Sequence, residues 1–442
     1  MRPTQATDDH AAGPPAATRP VALPHSPVRV RPDGPGTGTA ADQVAAGQAG
    51  AGAARAVDRD VYAAVGRVLD EVLADRIDRA RSVDPLFADD LAVRVAHFTR
   101  RGGRRVRSRL LWWALRACGG DDASTMAALR LGAALELLQT CALVQDDVMD
   151  GSPRRRGRPA LHADVSAQYA RTAGPGRVAR FGDAAAVLAG DLALAWADDL
   201  VTETALPAGT EHVVRRLWSD LRTEMVAGQY LDVQGQVTAS RSLPGALRSA
   251  CLKSALYSVE RPLALGAALA RADDATTGAL CSAGRRIGLA FQLRDDLSDV
   301  FADAERTGRS AGGDIREGKP TYLIALALAG AEAAGDRAAL AVLDRSLGKG
   351  DLTPEGLDEV REVLERTGAR ARVETKIGRL VAQGLRHFDG ALLDREAGSR
   401  LRELLVVAVS GTPTGPGAGA WTSEPDHDVA VPLIAAGEET RV

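Results

Sequence analysis

Two short acidic motifs carry the residues of this sequence that are best suited to chemistry. The first is DDVMD at 146–150 and the second is DDLSD at 295–299. On a helix, the first and last aspartates of each motif share a face, with the second about 100° round. Such clustered carboxylates repel one another unless a cation lies between them, and Mg²⁺, which binds oxygen ligands together with phosphates, is the natural candidate. We therefore interpret six side chains as magnesium ligands: Asp146, Asp147, Asp150, Asp295, Asp296 and Asp299.

A single acidic motif of this kind would be weak support, because paired aspartates are also common on solvated helix ends. The pairs that begin at Asp121 and Asp198 are interpreted as such surface acids. What distinguishes the two motifs is their shared position at the end of a long apolar stretch.

Four basic groups could bind the diphosphates of two substrates. They lie in GGRRVRS (102–108), PRRRG (153–157), CLKSALYSVERP (251–262) and GRSAGGDIREGKPT (308–321). Any one group alone would fit a solvated charge run or a helix end. Lysine is rare in this arginine-rich chain, and two of its four lysines lie in these motifs. Together the groups predict a polyphosphate site that contains Arg104, Arg107, Arg155, Arg156, Lys253, Arg309 and Lys319.

The elements that must position these residues are helices. Leu, Val and Ala recur at three- and four-residue steps between the two ends of the chain, which predicts an all-α fold. Residues 124–150 are apolar around nearly the whole circumference, so we expect a buried central helix roughly 40 Å long. Residues 281–303 repeat the same design. Residues 1–55 and 411–442 are rich in Ala, Gly and Pro, which predicts disordered tails around one domain at 56–410.

Composition excludes several classes of protein. A net charge of -3 over 442 residues, with scattered arginines, argues against nucleic-acid binding. The N-terminus has no apolar run that fits a signal peptide or a membrane span, so we expect a soluble cytoplasmic protein. The cysteines lie far apart among aliphatic residues, which indicates buried thiols in a reducing compartment: Cys118, Cys141, Cys251 and Cys281.

The ordered motifs resemble those of the trans-isoprenyl diphosphate synthase (polyprenyl synthetase) family, most closely its bacterial geranylgeranyl diphosphate synthases. The resemblance covers about residues 60 to 400 and rests on GGRRVRS, LVQDDVMDGSPRRRGRPALH, GDLAL, GQYLD, KSALYSVERP, FQLRDDLSD and GGDIREGKPT. It implies the isoprenoid synthase fold, a helical bundle around a deep central cavity, usually in a homodimer. It also implies Mg²⁺ as the cofactor, with about three ions in each active site.

The same resemblance implies roles for individual residues. Contacts to the allylic diphosphate would come from Arg155, Lys253, Gln292 and Lys319, and the isopentenyl diphosphate pocket from Arg104, Arg107, Gln139 and Arg156. Arg104 and Arg309 stand where the family usually has Lys.

The implied reaction is ionisation of the allylic diphosphate, attack by the double bond of isopentenyl diphosphate, and loss of a proton. The catalytic residues would be Lys253, Arg155, Ser254 and Gln292, with the last two facing the cation as neutral dipoles.

Product length should depend on the residues one turn before the first motif. Cys141 and Ala142 are small there, where members of the family that stop at fifteen carbons commonly place aromatic residues. The motif also lacks the two-residue insertion of many bacterial farnesyl enzymes. We therefore expect a twenty-carbon product, geranylgeranyl diphosphate, with a cavity floor near Leu138 or Leu137.

Other products and functions stay open at this point. A longer or shorter polyprenyl diphosphate is one alternative. A class I terpene cyclase is another, although its second metal motif is typically of the NDxxSxxxE kind and DDLSD differs from it. The third alternative is a non-catalytic subunit of a heteromeric synthase, but such subunits usually lose aspartates from one motif, and both are complete here.

Overall fold

The described part of the chain is almost entirely helical, as predicted. The structure, a computed structural model, describes residues 52–302 and 311–410. The predicted tails at 1–55 and 411–442 lie outside these residues, except for 52–55, which belong to the first helix and include the buried Ala54.

The α-helices and the other elements follow one another in this order. The α-helices are α1 (residues 52–59), α2 (Val61–Val83), α3 (Pro85–Phe87), α4 (Val93–Arg100), α5 (Val106–Ala117), α6 (Thr125–Met149), α7 (Leu161–Gln168), α8 (Pro175–Glu203), α9 (Glu211–Val237), α10 (Leu243–Ala250), α11 (Arg261–Leu269), α12 (Asp274–Phe301), α13 (Gly313–Glu317), α14 (Tyr322–Ala334), α15 (Arg337–Ser346), α16 (Pro354–Arg366), α17 (Ala369–Asp389) and α18 (Arg395–Ser410). There are also two π-helical segments, Ala88–Ala92 and Cys251–Glu260, a 3₁₀ turn, Asp122–Ser124, and two short strands, β1 (Arg154–Arg155) and β2 (Arg158–Pro159).

Helix α6 is the predicted central helix. Asp121 caps the turn before it by accepting a hydrogen bond from the Ser124 amide at 3.2 Å. The side chains of Leu131, Leu135 and Leu138 are fully buried, and the helix packs against α5 and α8. By length and composition α6 could cross a membrane, but 78% of its most apolar window is buried inside the fold. That burial is typical of a core helix.

Helix α12 is the predicted second apolar helix and begins earlier than the sequence indicated. Asp273 accepts a hydrogen bond from the Thr276 amide at 2.7 Å, so the helix starts at Asp274. It packs against the π-helical segment Cys251–Glu260 and against α17. One large group of buried side chains surrounds α12, and another surrounds α2, α6 and α8.

Two glycines allow the π-helical segment to approach its neighbours closely. A Cβ at Gly288 of α12 would lie 2.7 Å from the Cα of Ala255, and one at Gly228 of α9 would lie 2.4 Å from the amide nitrogen of Lys253. Both distances are too short for any side chain. The glycines therefore bring Lys253 and Ser254 between α9 and α12.

A tight hairpin follows α6. Strands β1 and β2 are antiparallel, with Arg155 opposite Arg158. Arg156 and Gly157 form the turn, and both have positive φ, 53° and 75°. Positive φ at both central residues is typical of the two-residue turns that match the twist of a hairpin. The hairpin thereby carries the PRRRG arginines back toward the end of α6.

Candidate active site

The two acidic motifs meet at one cavity. It has a volume of about 540 Å³ and lies between the C-terminal ends of α6 and α12. The hairpin, α9, α10, the π-helical segment and the chain from α13 to the start of α14 complete its wall. Its charged lining consists of Asp146, Asp150, Asp232, Asp295, Asp296, Asp299, Asp314, Glu317, Arg154, Arg155, Arg156, Lys253 and Lys319.

The first motif contributes two of its three aspartates to this cavity. Asp146 accepts hydrogen bonds from Lys253 Nζ at 3.0 Å and from Gln229 Nε2 at 2.9 Å. Burial raises the pKa of Asp146, but attraction from Lys253 and Lys319 outweighs that effect, and the net pKa lies below its ordinary value. Asp150 pairs with Lys319 Nζ at 2.9 Å.

Asp147 does not line the cavity. Its side chain, near the C-terminal end of α6, is completely buried and accepts a hydrogen bond from Arg155 Nε at 2.7 Å. The same guanidinium also donates to Asp146 Oδ2, with Arg155 Nη2 at 3.2 Å. The structure therefore separates Asp147 from the five other predicted magnesium ligands. Asp147 instead contacts the Arg155 guanidinium, which also contacts Asp146.

The second motif faces the first from α12. Asp296 is 6% exposed and accepts a hydrogen bond from Gln292 Nε2 at 2.7 Å. Burial raises the pKa of Asp296 to about 7. Asp299 accepts a hydrogen bond from the Asp314 amide at 3.0 Å, and burial also raises its pKa. Asp295 is exposed on the cavity wall.

Two lysines lie among these carboxylates. Lys253 Nζ is 2.7 Å from Asp232 Oδ2, and Lys319 Nζ is 2.7 Å from Glu317 Oε2. Burial lowers the pKa of each ammonium, but the surrounding carboxylates more than offset it, and both pKa values lie above the ordinary one. Both lysines therefore carry a full positive charge at neutral pH.

Each lysine pairs with one aspartate of the first motif and with at least one acid outside both motifs. Within residues 52–302 and 311–410, no group of three or more His, Cys, Asp or Glu side chains is already gathered closely enough to hold an ion. The donor set nevertheless fits a hard cation, because the facing acids offer only carboxylate oxygens, which Mg²⁺ prefers. In this arrangement the lysines neutralise charge that a metal ion would otherwise neutralise.

Ser254 and Gln292 are joined in the cavity wall. The Ser254 hydroxyl donates to Gln292 Oε1, while Gln292 Nε2 donates to Asp296. The amide thus has a fixed orientation with its oxygen toward the π-helical segment. Both side chains predicted to act as neutral dipoles line the same cavity as Lys253.

Of the four residues predicted to bind the second diphosphate, Arg156 is the one that lines this cavity. Arg156 lines the cavity and also donates to the carbonyl of Arg101 at 2.9 Å, so it touches the GGRRVRS loop. Arg107 donates to Ser258 Oγ at 2.6 Å and lies over the Tyr257 ring, whose hydroxyl donates to Gln139 Oε1 at 2.8 Å.

The remaining predictions have different outcomes. Arg104, Arg107 and Gln139 do not line the cavity, and Arg104 is exposed. Arg309 lies outside the described residues. Of the residues expected to set product length, Cys141 is buried, Ala142 is half-buried, and neither lines the cavity. Leu137 and Leu138 are fully buried in the core beneath them.

Several cavity residues were missed by the sequence analysis. Asp232, Asp314 and Glu317 lie in the motifs GQYLD and GGDIREGKPT, which were noted but not assigned. Gln229, which bonds Asp146, lies in GQYLD as well. The sequence did contain a signal for these three acids, because each lies in a motif that was already noted for its glycines or its lysine.

Comparisons with known proteins agree with this geometry. Residues 90–361 match the family model for polyprenyl synthetase. The farnesyl diphosphate synthase of Geobacillus stearothermophilus is 34% identical over 248 residues, which are 54% of this chain and 75% of that protein. The geranylgeranyl diphosphate synthase of Mycobacterium tuberculosis is 34% identical over 239 residues, 54% of this chain and 62% of that one.

A solved structure extends the likeness to the fold. The geranylgeranyl pyrophosphate synthase from Corynebacterium glutamicum, complexed with isoprenyl diphosphate and magnesium, superposes with a TM-score of 0.72 at 34% identity. The match covers 78% of this chain and 98% of that one. Since the family model matches more than half of the chain and the acidic motifs meet in one cavity, this protein belongs to the polyprenyl synthetase family of isoprenyl diphosphate synthases.

Proposed function

We propose that this protein condenses isopentenyl diphosphate head to tail with an allylic diphosphate in a Mg²⁺-dependent reaction, and that its product is geranylgeranyl diphosphate. Prenyl chain elongation is the activity of the family to which the chain belongs. The observation that supports the proposal is the cavity in which carboxylates of α6 and α12 face each other around Lys253 and Lys319.

The metal would be held by Asp146 and Asp150 from one side and by Asp295, Asp296 and Asp299 from the other. When bound, Mg²⁺ supplies positive charge for the diphosphate that leaves the allylic substrate. By analogy with the family, we expect about three ions. Asp147 acts through Arg155 in this proposal, because it contacts that guanidinium and does not face the cavity.

The chain's own cations stabilise the departing diphosphate. Lys253, Lys319 and Arg155 lie in one cavity and are held in place by carboxylates, so little reorganisation is needed as the allylic C–O bond breaks. The Ser254 hydroxyl and the Gln292 amide face the allylic cation as neutral dipoles. The new C–C bond then forms with isopentenyl diphosphate, and the proton lost goes to the released diphosphate.

The twenty-carbon product rests on the small residues before the first motif. Cys141 and Ala142 are small, so we expect the product tail to pass beside them toward a floor at Leu137 or Leu138, which are buried about one turn deeper. Relatives include enzymes named for fifteen-carbon and for twenty-carbon products, so product length needs its own test.

The test supplies isopentenyl diphosphate with five-, ten- or fifteen-carbon allylic primers and Mg²⁺, and measures product length by mass spectrometry. Twenty-carbon product from each primer supports the proposal, and a fifteen-carbon or longer main product contradicts that part of it. Hydrocarbon from geranylgeranyl diphosphate alone would indicate a cyclase, and no turnover by the purified chain would indicate a non-catalytic subunit. In a second experiment, Ala142→Phe should shorten the product to fifteen carbons; twenty-carbon product from this variant would contradict the placement of the tail.

A second copy of the chain is the proposed partner. Large apolar side chains are exposed on α8 and α9, among them Leu188 at 59%, Val226 at 60% and Tyr230 at 67%. Exposed apolar surface of this kind is typical of a subunit interface. Sedimentation should show a dimer in the wild type and a monomer after Leu188→Asp, and a monomeric wild type would contradict the proposal.

A cytoplasmic location is the last part of the proposal. The four cysteines are free thiols in the structure, and desolvation raises the pKa of Cys118 and Cys281 to about 11. Unreactive thiols of this kind fit a reducing compartment. Fractionation of the source cells would test the location.

A further inference from the structure

One arginine of the GGRRVRS loop, Arg105, does not line the cavity and packs against α2 instead. Arg105 has φ 47° and ψ 43°, a left-handed backbone conformation that is unfavourable for a residue with a Cβ. It is also only 6% exposed, which is rare for arginine. Such a conformation persists only where the surrounding contacts hold it, and these residues cluster at functional sites.

The contacts that hold Arg105 come from α2 and from the loop itself. Its Nη1 donates to the carbonyl of Tyr62 at 2.8 Å, and the guanidinium lies 4.2 Å from the centre of the Tyr62 ring. Its Nη2 is 3.4 Å from the carbonyl of Arg100. A Cβ at Gly66 would lie 2.7 Å from Nη1, so α2 offers room for this guanidinium only because residue 66 is glycine.

The loop is held from its other side by Arg156. That guanidinium donates to the carbonyl of Arg101 at 2.9 Å, and a Cβ at Gly103 would lie 3.6 Å from its Nη2. Arg105 and Arg156 therefore bond the carbonyls of consecutive residues, Arg100 and Arg101. The segment between α4 and α5 is fixed between α2 and the hairpin.

Arg105 also sets the start of α5. Its carbonyl accepts the amide of Arg109 at 3.1 Å, so the left-handed residue determines the direction of the first helical turn. Arg107 lies in that turn, and Arg104 directly precedes Arg105 in the chain. A change in the conformation of residue 105 would move both arginines relative to Arg156.

We propose that Arg105 is a positioning residue for the isopentenyl diphosphate pocket: it does not touch the substrate, and it fixes the loop that places Arg104 and Arg107 beside Arg156. The inference rests on the proposed function. The contact between Arg105 and α2 should therefore affect the binding of isopentenyl diphosphate and not that of the allylic substrate. The allylic side of the cavity is built from α6, α12 and the π-helical segment and does not include Arg105.

The experiment compares Arg105→Met, Arg105→Lys and Gly66→Ala with Arg67→Met, which removes an exposed arginine from the same helix as Gly66. The KM of each substrate is measured in the full-length Mg²⁺-loaded enzyme with the other substrate saturating. Calorimetry then measures the Kd of isopentenyl diphosphate itself, in the presence of a non-ionising thiolodiphosphate analogue of the allylic substrate.

For Arg105→Met we expect the KM and Kd of isopentenyl diphosphate to rise about tenfold to a hundredfold, because small misplacements of binding groups have effects of that size. The KM of the allylic substrate and kcat should stay within about twofold of the wild type, since Arg105 lies outside the part of the cavity proposed to bind the allylic diphosphate. Arg105→Lys should recover part of the affinity, Gly66→Ala should show the same selective loss, and Arg67→Met should match the wild type.

Equal loss for both substrates would overturn the inference, because it would indicate a general loss of structure. Unchanged affinity for isopentenyl diphosphate in Arg105→Met and Gly66→Ala would overturn it as well. A wild-type enzyme that does not bind isopentenyl diphosphate would instead refute the proposed function, so the two failures are distinguishable.

Discussion

Replacing Lys253 by Gln separates the structural and catalytic roles of the cavity charges. In the structure its ammonium lies 3.0 Å from Asp146 and 2.7 Å from Asp232, with 28% of the side chain exposed. The glutamine has a similar length but no charge, so the two carboxylates would repel each other without a cation between them. Leaving such partners unpaired costs about 1–3 kcal/mol.

The expected loss of stability is measurable. Each kcal/mol lowers Tm by about 2–4 °C in domains somewhat smaller than this one, so the metal-free variant should unfold a few degrees earlier than the wild type. Mg²⁺ should restore most of that loss, because a bound cation would again separate the carboxylates and would stabilise the folded state by mass action.

Turnover should not recover with the metal. A positioned cation aimed at the charge that develops on the leaving group is worth about 10²–10³ in kcat. The assay is calorimetric unfolding with and without Mg²⁺, together with steady-state kinetics at saturating Mg²⁺. Lys349→Gln, which changes an exposed lysine, is the control and should match the wild type in both. Turnover of Lys253→Gln within about threefold of the wild type would refute the catalytic role of Lys253. A decrease in Tm that is equally large with and without Mg²⁺ would refute the idea that Lys253 and the metal ion neutralise the same carboxylates.

Three further predictions follow from the same geometry. Gln292→Leu should lower kcat by more than about tenfold, since it removes a dipole beside the allylic cation; turnover equal to the wild type would end that assignment. Asp150→Asn should weaken Mg²⁺ binding measured by calorimetry, whereas Asp147→Asn should leave the Mg²⁺ affinity nearly unchanged and lower kcat through Arg155; an equal loss of affinity in both would show that Asp147 is a ligand after all. Burial raises the pKa of Asp296 to about 7 in the folded state, and an unfolded Asp titrates near ~3.9. Between these two pH values the metal-free folded protein therefore binds more protons than the unfolded chain, so the contribution of Asp296 to the free energy of unfolding falls as pH rises. Asp296→Asn should reduce this dependence when the free energy of unfolding is measured by urea titration at a series of pH values.

The sequence by itself determined the helices and the main residues of the cavity. Leu and Ala spacing predicted α6 and α12, and the four-residue step within each acidic motif placed Asp146 and Asp150 on one face. These are local properties, because helical periodicity fixes which side chains share a face regardless of what lies opposite.

The tertiary structure decided which partners those residues have. Asp147 turns to Arg155 because the hairpin folds back over the end of α6, and Asp232 enters the cavity because Gly228 lets α9 touch the π-helical segment. Arg105, next to Arg104 in the chain, has a left-handed backbone, and its guanidinium packs against α2 where Gly66 leaves room for it. Such outcomes depend on contacts between residues distant in sequence, and spacing within a single element carries no information about them.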